Sequence, residues 1–100
     1  MDETYHGQFN RGLQEGQGIY HFNHGDIYDG QWLDGLMHGR GLYSYPDGSE
    51  FFGEFFEGIK VNGTMKYQNG ELFIGSFKDG LKLNGIMKYS DGREFSGDFE

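Results

Sequence analysis

The sequence predicts an all-β protein built as a row of antiparallel hairpins, and three observations support this fold class. An aromatic-x-Gly-x-aromatic motif recurs at spacings of 23, 23, 22 and 22 residues, opening at Tyr5, Tyr28, Phe51, Phe73 and Phe95. Rings and glycines alternate with mostly polar residues, as expected of strands with one covered and one wet face. A turn sequence ending in glycine follows each second strand. A period of this length is typical of a repeat array, in which each unit buries its apolar face against its neighbours.

The repeats account for the whole chain as one domain, residues 1–100. One hundred residues is the size of a single domain, so we expect no second, enzymatic domain within it. The units span residues 5–27, 28–50, 51–72 and 73–94, followed by a partial copy at 95–100.

The connection after each second strand has the composition of a three-residue turn. Asp or Asn suits its second position in most copies and glycine supplies the left-handed third, which predicts a type I turn closed by a glycine bulge. This loop length sets Tyr20 opposite Tyr28 and Phe22 opposite Asp26. The four turns are Asn23-His24-Gly25, Pro46-Asp47-Gly48, Gln68-Asn69-Gly70 and Ser90-Asp91-Gly92.

The connection inside each unit is rich in glycine and repeats an apolar residue directly after a glycine. We expect this segment to form a loop that folds back over the rings. In units three and four it is one residue shorter, GIKVNG and GLKLNG against GLQEGQG and GLMHGRG. The apolar residues are Leu13, Leu36, Ile59 and Leu81.

Composition excludes several classes of function. The chain has no cysteine, which excludes disulfides, thiolate metal sites and a cysteine nucleophile and agrees with a reducing compartment. The net charge is −8, and residues 1–50 carry only Arg11 and Arg40 as basic side chains, so a nucleic-acid partner is not expected. Neither a signal peptide nor an apolar run of about 18 residues is present, so we expect a cytoplasmic protein that does not span a membrane.

The motifs YDGQWLDGLMHGRG and YHGQFNRGLQEGQG, with the matching stretches at Phe51, Phe73 and Phe95, resemble MORN repeats, whose consensus is YxGxWxxGxxxGxGxxxxxxG. The resemblance covers residues 5–100; units three and four depart from it at the GxG element, where Asn62-Gly63 and Asn84-Gly85 keep only the last glycine. It implies an elongated, twisted single-layer antiparallel sheet with an aromatic-lined groove. It also implies a non-catalytic protein that joins other proteins, membranes or the cytoskeleton and that in some members dimerises. With roughly nine strands at ~4.8 Å each, the array would be about 40 Å long.

The ring face of this sheet is the first candidate site. One interpretation is that its rings are simply the core, stacked on one another because a single layer has no second layer to bury them; this suits most of the phenylalanines. The other is a groove for a partner helix or peptide, which suits Trp32, Tyr43 and Tyr45, because Trp and Tyr are enriched at binding surfaces. The expected groove residues are Tyr28, Trp32, Tyr43, Tyr45, Phe51, Phe55, Tyr67, Phe73 and Phe77.

The lysines of units three and four are the second candidate site. Pairs of lysines separated by 22 residues should form two short rows across adjacent hairpins and meet lipid headgroups at about 1 kcal/mol each. Neighbouring acids such as Glu57, Glu71 and Asp79 would cancel much of that field, and a solvated face is the alternative. The four lysines are Lys60, Lys66, Lys82 and Lys88.

The open strands at the two ends are the third candidate. Residues 4–9 and 94–100 present unpaired edges that a peptide or a second copy of the chain could extend. They could equally be boundaries inside a longer array, or be protected from pairing by their acids, Asp2, Glu3, Glu94, Asp98 and Glu100.

No catalytic or metal site is expected. If Phe9 pairs with Gly18, then His6 faces His21 near the turn that holds His24, but no other unit repeats this trio. Acids such as Asp34 lie in turns, and Gly16-Gln17-Gly18 precedes a strand rather than a helix, so it is not a phosphate loop. The leading hypothesis is therefore a non-enzymatic scaffold without a cofactor. The alternatives are a phospholipid-binding membrane adaptor and a regulatory segment of a larger enzyme.

Overall fold

The computed structural model describes residues 3–99, which form one sheet of nine strands. Each strand is antiparallel to the next in sequence order, and the molecule measures 47 × 25 × 18 Å. The predicted fold class, an open antiparallel array of tandem hairpins, is confirmed. The strands are β1 (Thr4–Asn10), β2 (Leu13–His21), β3 (Ile27–Leu33), β4 (Leu36–Ser44), β5 (Glu50–Phe56), β6 (Ile59–Lys66), β7 (Leu72–Lys78), β8 (Leu81–Lys88) and β9 (Glu94–Asp98).

The predicted three-residue turns join one hairpin to the next. The amide of Gly25 donates to the carbonyl of Phe22 at 3.2 Å, and the amide of Phe22 donates to the carbonyl of Asp26 at 2.9 Å. Gly25 has a φ of 101°, as a type I turn closed by a glycine bulge requires. Tyr20 lies opposite Tyr28 as predicted, so the rings of successive strands share one face.

The connections inside the hairpins differ from the prediction. Each is a tight two-residue turn with both φ values positive, such as Asp34 at 51° and Gly35 at 83°, which is the type I′ geometry that matches strand twist. The glycine-rich segment therefore continues as strand and does not fold back over the rings. The apolar residues that were expected to cover the rings begin β2, β4, β6 and β8 and are 45–69% exposed: Leu13, Leu36, Ile59 and Leu81.

A bulge in the second strand of each hairpin accounts for the difference in length between units. Between the pairs Gly30–Gly41 and Trp32–Met37, Gln31 alone faces three residues of β4. The Oε1 atom of Gln31 accepts a hydrogen bond from the Arg40 amide at 2.8 Å and so closes the gap. In β6 the bulge has one extra residue rather than two, because the pairs Glu54–Asn62 and Phe55–Lys60 enclose only Val61. The shorter GIKVNG sequence thus changes the bulge and leaves the turn unchanged.

The core is a zigzag of edge-to-face rings on one side of the sheet, which we call the ring face. The ring centroid of Tyr28 is 5.1 Å from that of Trp32 in its own strand and 5.0 Å from that of Phe55 in the next unit, at 89° and 85°. Such pairs contribute about 0.5–1.5 kcal/mol beyond their buried area. Phe51 and Phe73 make the same two contacts, so a single layer leaves Tyr28, Phe51 and Phe73 with no exposed surface.

Paired glycines make room for these rings. Gly30 and Gly41 face each other across β3 and β4, and the ring of Tyr28 lies directly over Gly41. A Cβ on Gly41 would collide with that ring, and one on Gly30 would meet the Cα of Gly41. Gly30, at the centre of its motif, and its partner Gly41 are therefore required for this packing.

Candidate functional site

The ring face divides into a buried floor and partly exposed side chains. Tyr28, Phe51 and Phe73 belong to the floor and have no surface for a partner to touch, so their expected role as contacts is wrong. Trp32 and Phe55 are 6% and 4% exposed. The remaining candidates, each partly exposed, are Tyr43, Tyr45, Tyr67 and Phe77.

These partly exposed rings line two adjoining hollows, which together we call the trough. The first has a volume of about 350 Å³ and is lined chiefly by Met37, Tyr43, Tyr45, Phe55, Ile59 and Lys60. The second, of about 330 Å³, is lined chiefly by Met65, Tyr67, Phe77, Leu81, Lys82 and Phe99. Lys60 and Gly80 line both hollows, so the trough runs across several strands. Its apolar walls and open top suit an elongated apolar ligand.

Two lysines stand over the floor of the trough. Lys60 Nζ lies 5.4 Å from the ring centroid of Phe51 and 5.2 Å from that of Phe77, and it donates a hydrogen bond to Tyr45 Oη at 3.0 Å. Lys82 repeats the arrangement one unit later, with Nζ 5.1 Å from the ring of Tyr67. Cation–π contacts of this kind position the ammonium groups while leaving them able to meet an anion.

The structure separates the four candidate lysines onto opposite faces. Lys60 pairs with Phe55 and faces the trough, whereas Lys66 pairs with Glu50 and lies on the other side of the sheet. Lys82 and Lys88 divide in the same way. The two predicted rows, Lys60/Lys82 and Lys66/Lys88, therefore lie on opposite faces of the sheet, because strand residues alternate between faces.

At the other end of the trough, the phenol of Tyr43 is held by a carboxylate. Its Oη atom donates a hydrogen bond to Asp26 Oδ2 at 2.6 Å, and His24 Nε2 lies 3.2 Å from the same oxygen. Burial, and then the hydrogen bond to Asp26, raises the pKa of Tyr43 well above its ordinary value. Tyr43 therefore remains a neutral donor with a fixed orientation at neutral pH.

The histidines do not meet as predicted. Gly18 pairs with Gly7 rather than Phe9, so His6 lies opposite Ile19, and His21 lies opposite Thr4. The rings of His6 and His21 are diagonal neighbours with centroids 6.3 Å apart. The predicted register was wrong because the hairpin reverses in the two-residue turn Arg11-Gly12, and β2 begins at Leu13 rather than after a long glycine-rich loop. Among residues 3–99 there is no group of three His, Asp or Glu side chains that could hold a metal ion.

The end strands are β1 and β9, which each pair on one side only. Glu3 accepts a hydrogen bond from Tyr20 Oη at 2.6 Å, while Glu94 and Asp98 are exposed on β9. Asp2 and Glu100, also expected to protect the edges, lie outside the described residues.

Sequence reasoning missed the position of Lys60 and Lys82 on the ring face. The signal was present in the alignment of the units, because these lysines occupy the place of Gln14 and Met37, which pair with Phe9 and Trp32 on that face. Counting back from the end of the second strand hides this equivalence, because the bulge has two extra residues in β4 and only one in β6.

Comparisons with known proteins agree with the repeat pattern. The family model for the MORN repeat matches residues 5–27, 28–50 and 51–71. No curated protein matches the chain. Over the described part of the chain, we find no helix with the length and apolar character needed to cross a membrane.

Proposed function

Because the chain belongs to the MORN repeat family, we propose that it is a non-catalytic scaffold that binds a partner helix or peptide in the trough. The observation that carries this proposal is the juxtaposition of apolar hollows with two cations, Lys60 and Lys82. Exposed apolar depressions with few, oriented polar groups usually mark binding sites. The partner would place an apolar stripe against the rings and acidic side chains against the lysines.

The spacing of the lysines supports a helical partner lying across the strands. Lys60 and Lys82 lie in β6 and β8, two strands apart, which corresponds to roughly 9.6 Å at ~4.8 Å per strand. Seven residues of an α-helix advance about 10.5 Å and return to nearly the same side. Acidic residues seven apart on an amphipathic helix would therefore meet both lysines while the apolar side enters the hollows.

A synthetic helix tests this proposal. The probe is an amphipathic peptide with a leucine stripe and two glutamates seven residues apart, and the control peptide has lysines at those two positions. We expect only the glutamate peptide to bind, with chemical-shift changes at Tyr43, Tyr45 and Tyr67. Shift changes confined to the other face, or equal binding of both peptides, would contradict the proposal.

The chain offers a matched pair of variants for the same titration. Lys60→Glu/Lys82→Glu should weaken binding of the glutamate peptide by at least about tenfold, because two opposite-charge contacts become like-charge contacts. Lys66→Glu/Lys88→Glu makes the same charge change at the same spacing on the opposite face and should leave binding unchanged. Equal effects of the two variants would indicate a long-range field rather than a site.

The other hypotheses remain as alternatives to this scaffold. A phospholipid adaptor would have only two of the four candidate lysines on either face to meet lipid headgroups. Co-sedimentation with anionic liposomes at several salt concentrations tests this hypothesis. A regulatory role within a larger enzyme would require a catalytic domain on the same polypeptide.

A further inference from the structure

The side of the sheet opposite the rings, which we call the back face, carries an exposed apolar row. The register from β4 to β8 aligns Leu42, Phe52, Thr64, Ile74 and Ile86. Phe52 is 56% exposed, and Ile74 and Ile86 are 39% and 38% exposed. This face was predicted to be polar, so the row is unexplained by ring packing.

Another exposed apolar side chain, Phe56, lies on the same face nearer the two-residue turns. Phe56 is 56% exposed, and the polar row of Glu54, Asn62, Ser76 and Asn84 separates it from the central row. The central row is itself an apolar surface that single exposed residues would not make, and surfaces of this kind usually mark an interface.

Charged side chains flank the apolar row on both sides, and their order along the sheet is informative. One flank follows the register Glu50, Lys66, Leu72, Lys88, Glu94 from β5 to β9. The other follows Arg40, Glu54, Asn62, Ser76, Asn84, Asp98 from β4 to β9. The first flank is therefore negative at both ends and positive at β6 and β8. The second is positive at β4, negative at β5 and β9, and neutral between them.

We propose that the back face binds a second copy of this chain, with a twofold axis parallel to the strands and midway between β6 and β7. This axis sets β5 against β8 of the second copy and β4 against β9. Phe52 then faces Ile86 of the second copy. On the flanks, Glu50 meets Lys88 and Arg40 meets Asp98, and the symmetry makes each contact twice.

Other twofold arrangements of the back face lose this complementarity. An axis across the strands sets Glu50 against Glu54 of the second copy and Glu94 against Asp98. Moving the axis onto β7 sets Lys66 against Lys88 and Glu54 against Asp98. Like charges held opposite each other oppose association, so only the axis between β6 and β7 combines apolar contacts with opposite charges on both flanks.

The size and twist of the surface are compatible with this dimer. Six strands at ~4.8 Å and seven residues at ~3.3 Å give a face of roughly 650 Å², near the lower end of what each partner contributes to a stable interface. Both copies have the same right-handed twist, which lets two sheets pack face to face with their strands aligned. The trough stays open on the outer side of each copy, so this proposal is independent of the proposed function.

The first test is the mass of the chain across a concentration range by sedimentation velocity. The natural chain should form a dimer, and Phe52→Lys should weaken it by at least about tenfold, because two central ring contacts are lost and two cations are buried. Ile19→Lys is the matched control: Ile19 lies in the same row and is 36% exposed, but it lies beyond the contact with the second copy. A chain that stays monomeric, or a dimer that survives Phe52→Lys, overturns the proposal, the second outcome pointing to the edges of β1 or β9.

Cross-linking tests the register of the dimer. The chain has no cysteine, so Phe52→Cys/Ile86→Cys introduces the only thiols, three strands or roughly 14 Å apart within one copy. A short bismaleimide should join two copies of the double variant and should join few copies of either single variant. Equal cross-linking of a single variant, or binding of this face to anionic vesicles by a monomer, would contradict the proposal.

Discussion

The phenol of Tyr43 donates a 2.6 Å hydrogen bond to the carboxylate of Asp26, which precedes the first strand of the same hairpin. The first hairpin repeats this relationship, with Tyr20 donating to Glu3 at 2.6 Å. In the third and fourth hairpins, Met65 and Met87 replace the tyrosine. In the third hairpin the acid is replaced as well, because Ser49 stands in the place of Asp26, whereas the fourth hairpin keeps an acid there, Glu71.

The Tyr43 hydrogen bond should contribute to stability. Tyr43→Phe leaves the Asp26 carboxylate, 8% exposed, without its phenol donor, and we expect a loss of about 1–3 kcal/mol in the free energy of unfolding. Tyr20→Phe is the matched control, because its partner Glu3 is exposed and can be solvated, and it should cost less. Denaturant unfolding of both variants measures the difference. Equal losses of unfolding free energy would mean that burial of the carboxylate does not increase the cost of removing its phenol donor.

Stability should fall at alkaline pH. Burial raises the pKa of Tyr28 to about 12, although its hydrogen bond to the Gln31 carbonyl acts in the opposite direction. A raised pKa in the folded state means that this stabilisation is complete below about pH 10, the ordinary pKa of tyrosine, and is lost as the pH rises toward the folded-state value. We expect the urea midpoint to decrease between about pH 10 and 12.

Tyr28→Phe is the control for this pH dependence. Phe51 and Phe73 occupy the equivalent position in later units, so the ring site accepts phenylalanine. The variant should retain its fold and lose less stability over the same pH range. An unchanged pH dependence would assign the effect to Tyr43 or to other tyrosines.

The glycine pairs should be intolerant of a methyl group where the covering ring cannot move. Gly41→Ala forces a Cβ into the fully buried ring of Tyr28, and we expect a loss of roughly 1–3 kcal/mol. Gly18→Ala meets the ring of Tyr5, which lies on the end strand and is only partly buried, so that ring can shift. Thermal unfolding should show a larger decrease for Gly41→Ala. The reverse order would indicate that the strand backbone, rather than the ring, sets the cost.

The glutamine that closes the bulge should protect one backbone amide. Gln31→Leu removes the acceptor of the Arg40 amide, and that amide should exchange with solvent faster by hydrogen-exchange NMR. Gln17→Leu is the control, because the Gln17 side chain donates a hydrogen bond to the side chain of Asp29, at 3.4 Å, and not to a bulge amide. Unchanged exchange at Arg40 would show that the bulge is held by its backbone alone.

The sequence by itself determined the period, the strand pairs, the three-residue turns and the membership of the chain in a repeat family. These features are local: a ring alternating with a glycine specifies a strand face, and a glycine after Asp or Asn specifies a turn. The pairing of Tyr20 with Tyr28 could be predicted because only a three-residue turn separates their strands.

The tertiary structure alone decided which side chains share a surface. A bulge of one or two residues within β2, β4, β6 and β8 shifts the pairing, and a shift of one residue moves a side chain to the other face. Counting along the chain therefore did not show that Lys60 and Lys66 lie on opposite faces. The complete burial of Tyr28 likewise depends on Phe55, a ring from the next unit, because a single-layer sheet buries a side chain only through its neighbours.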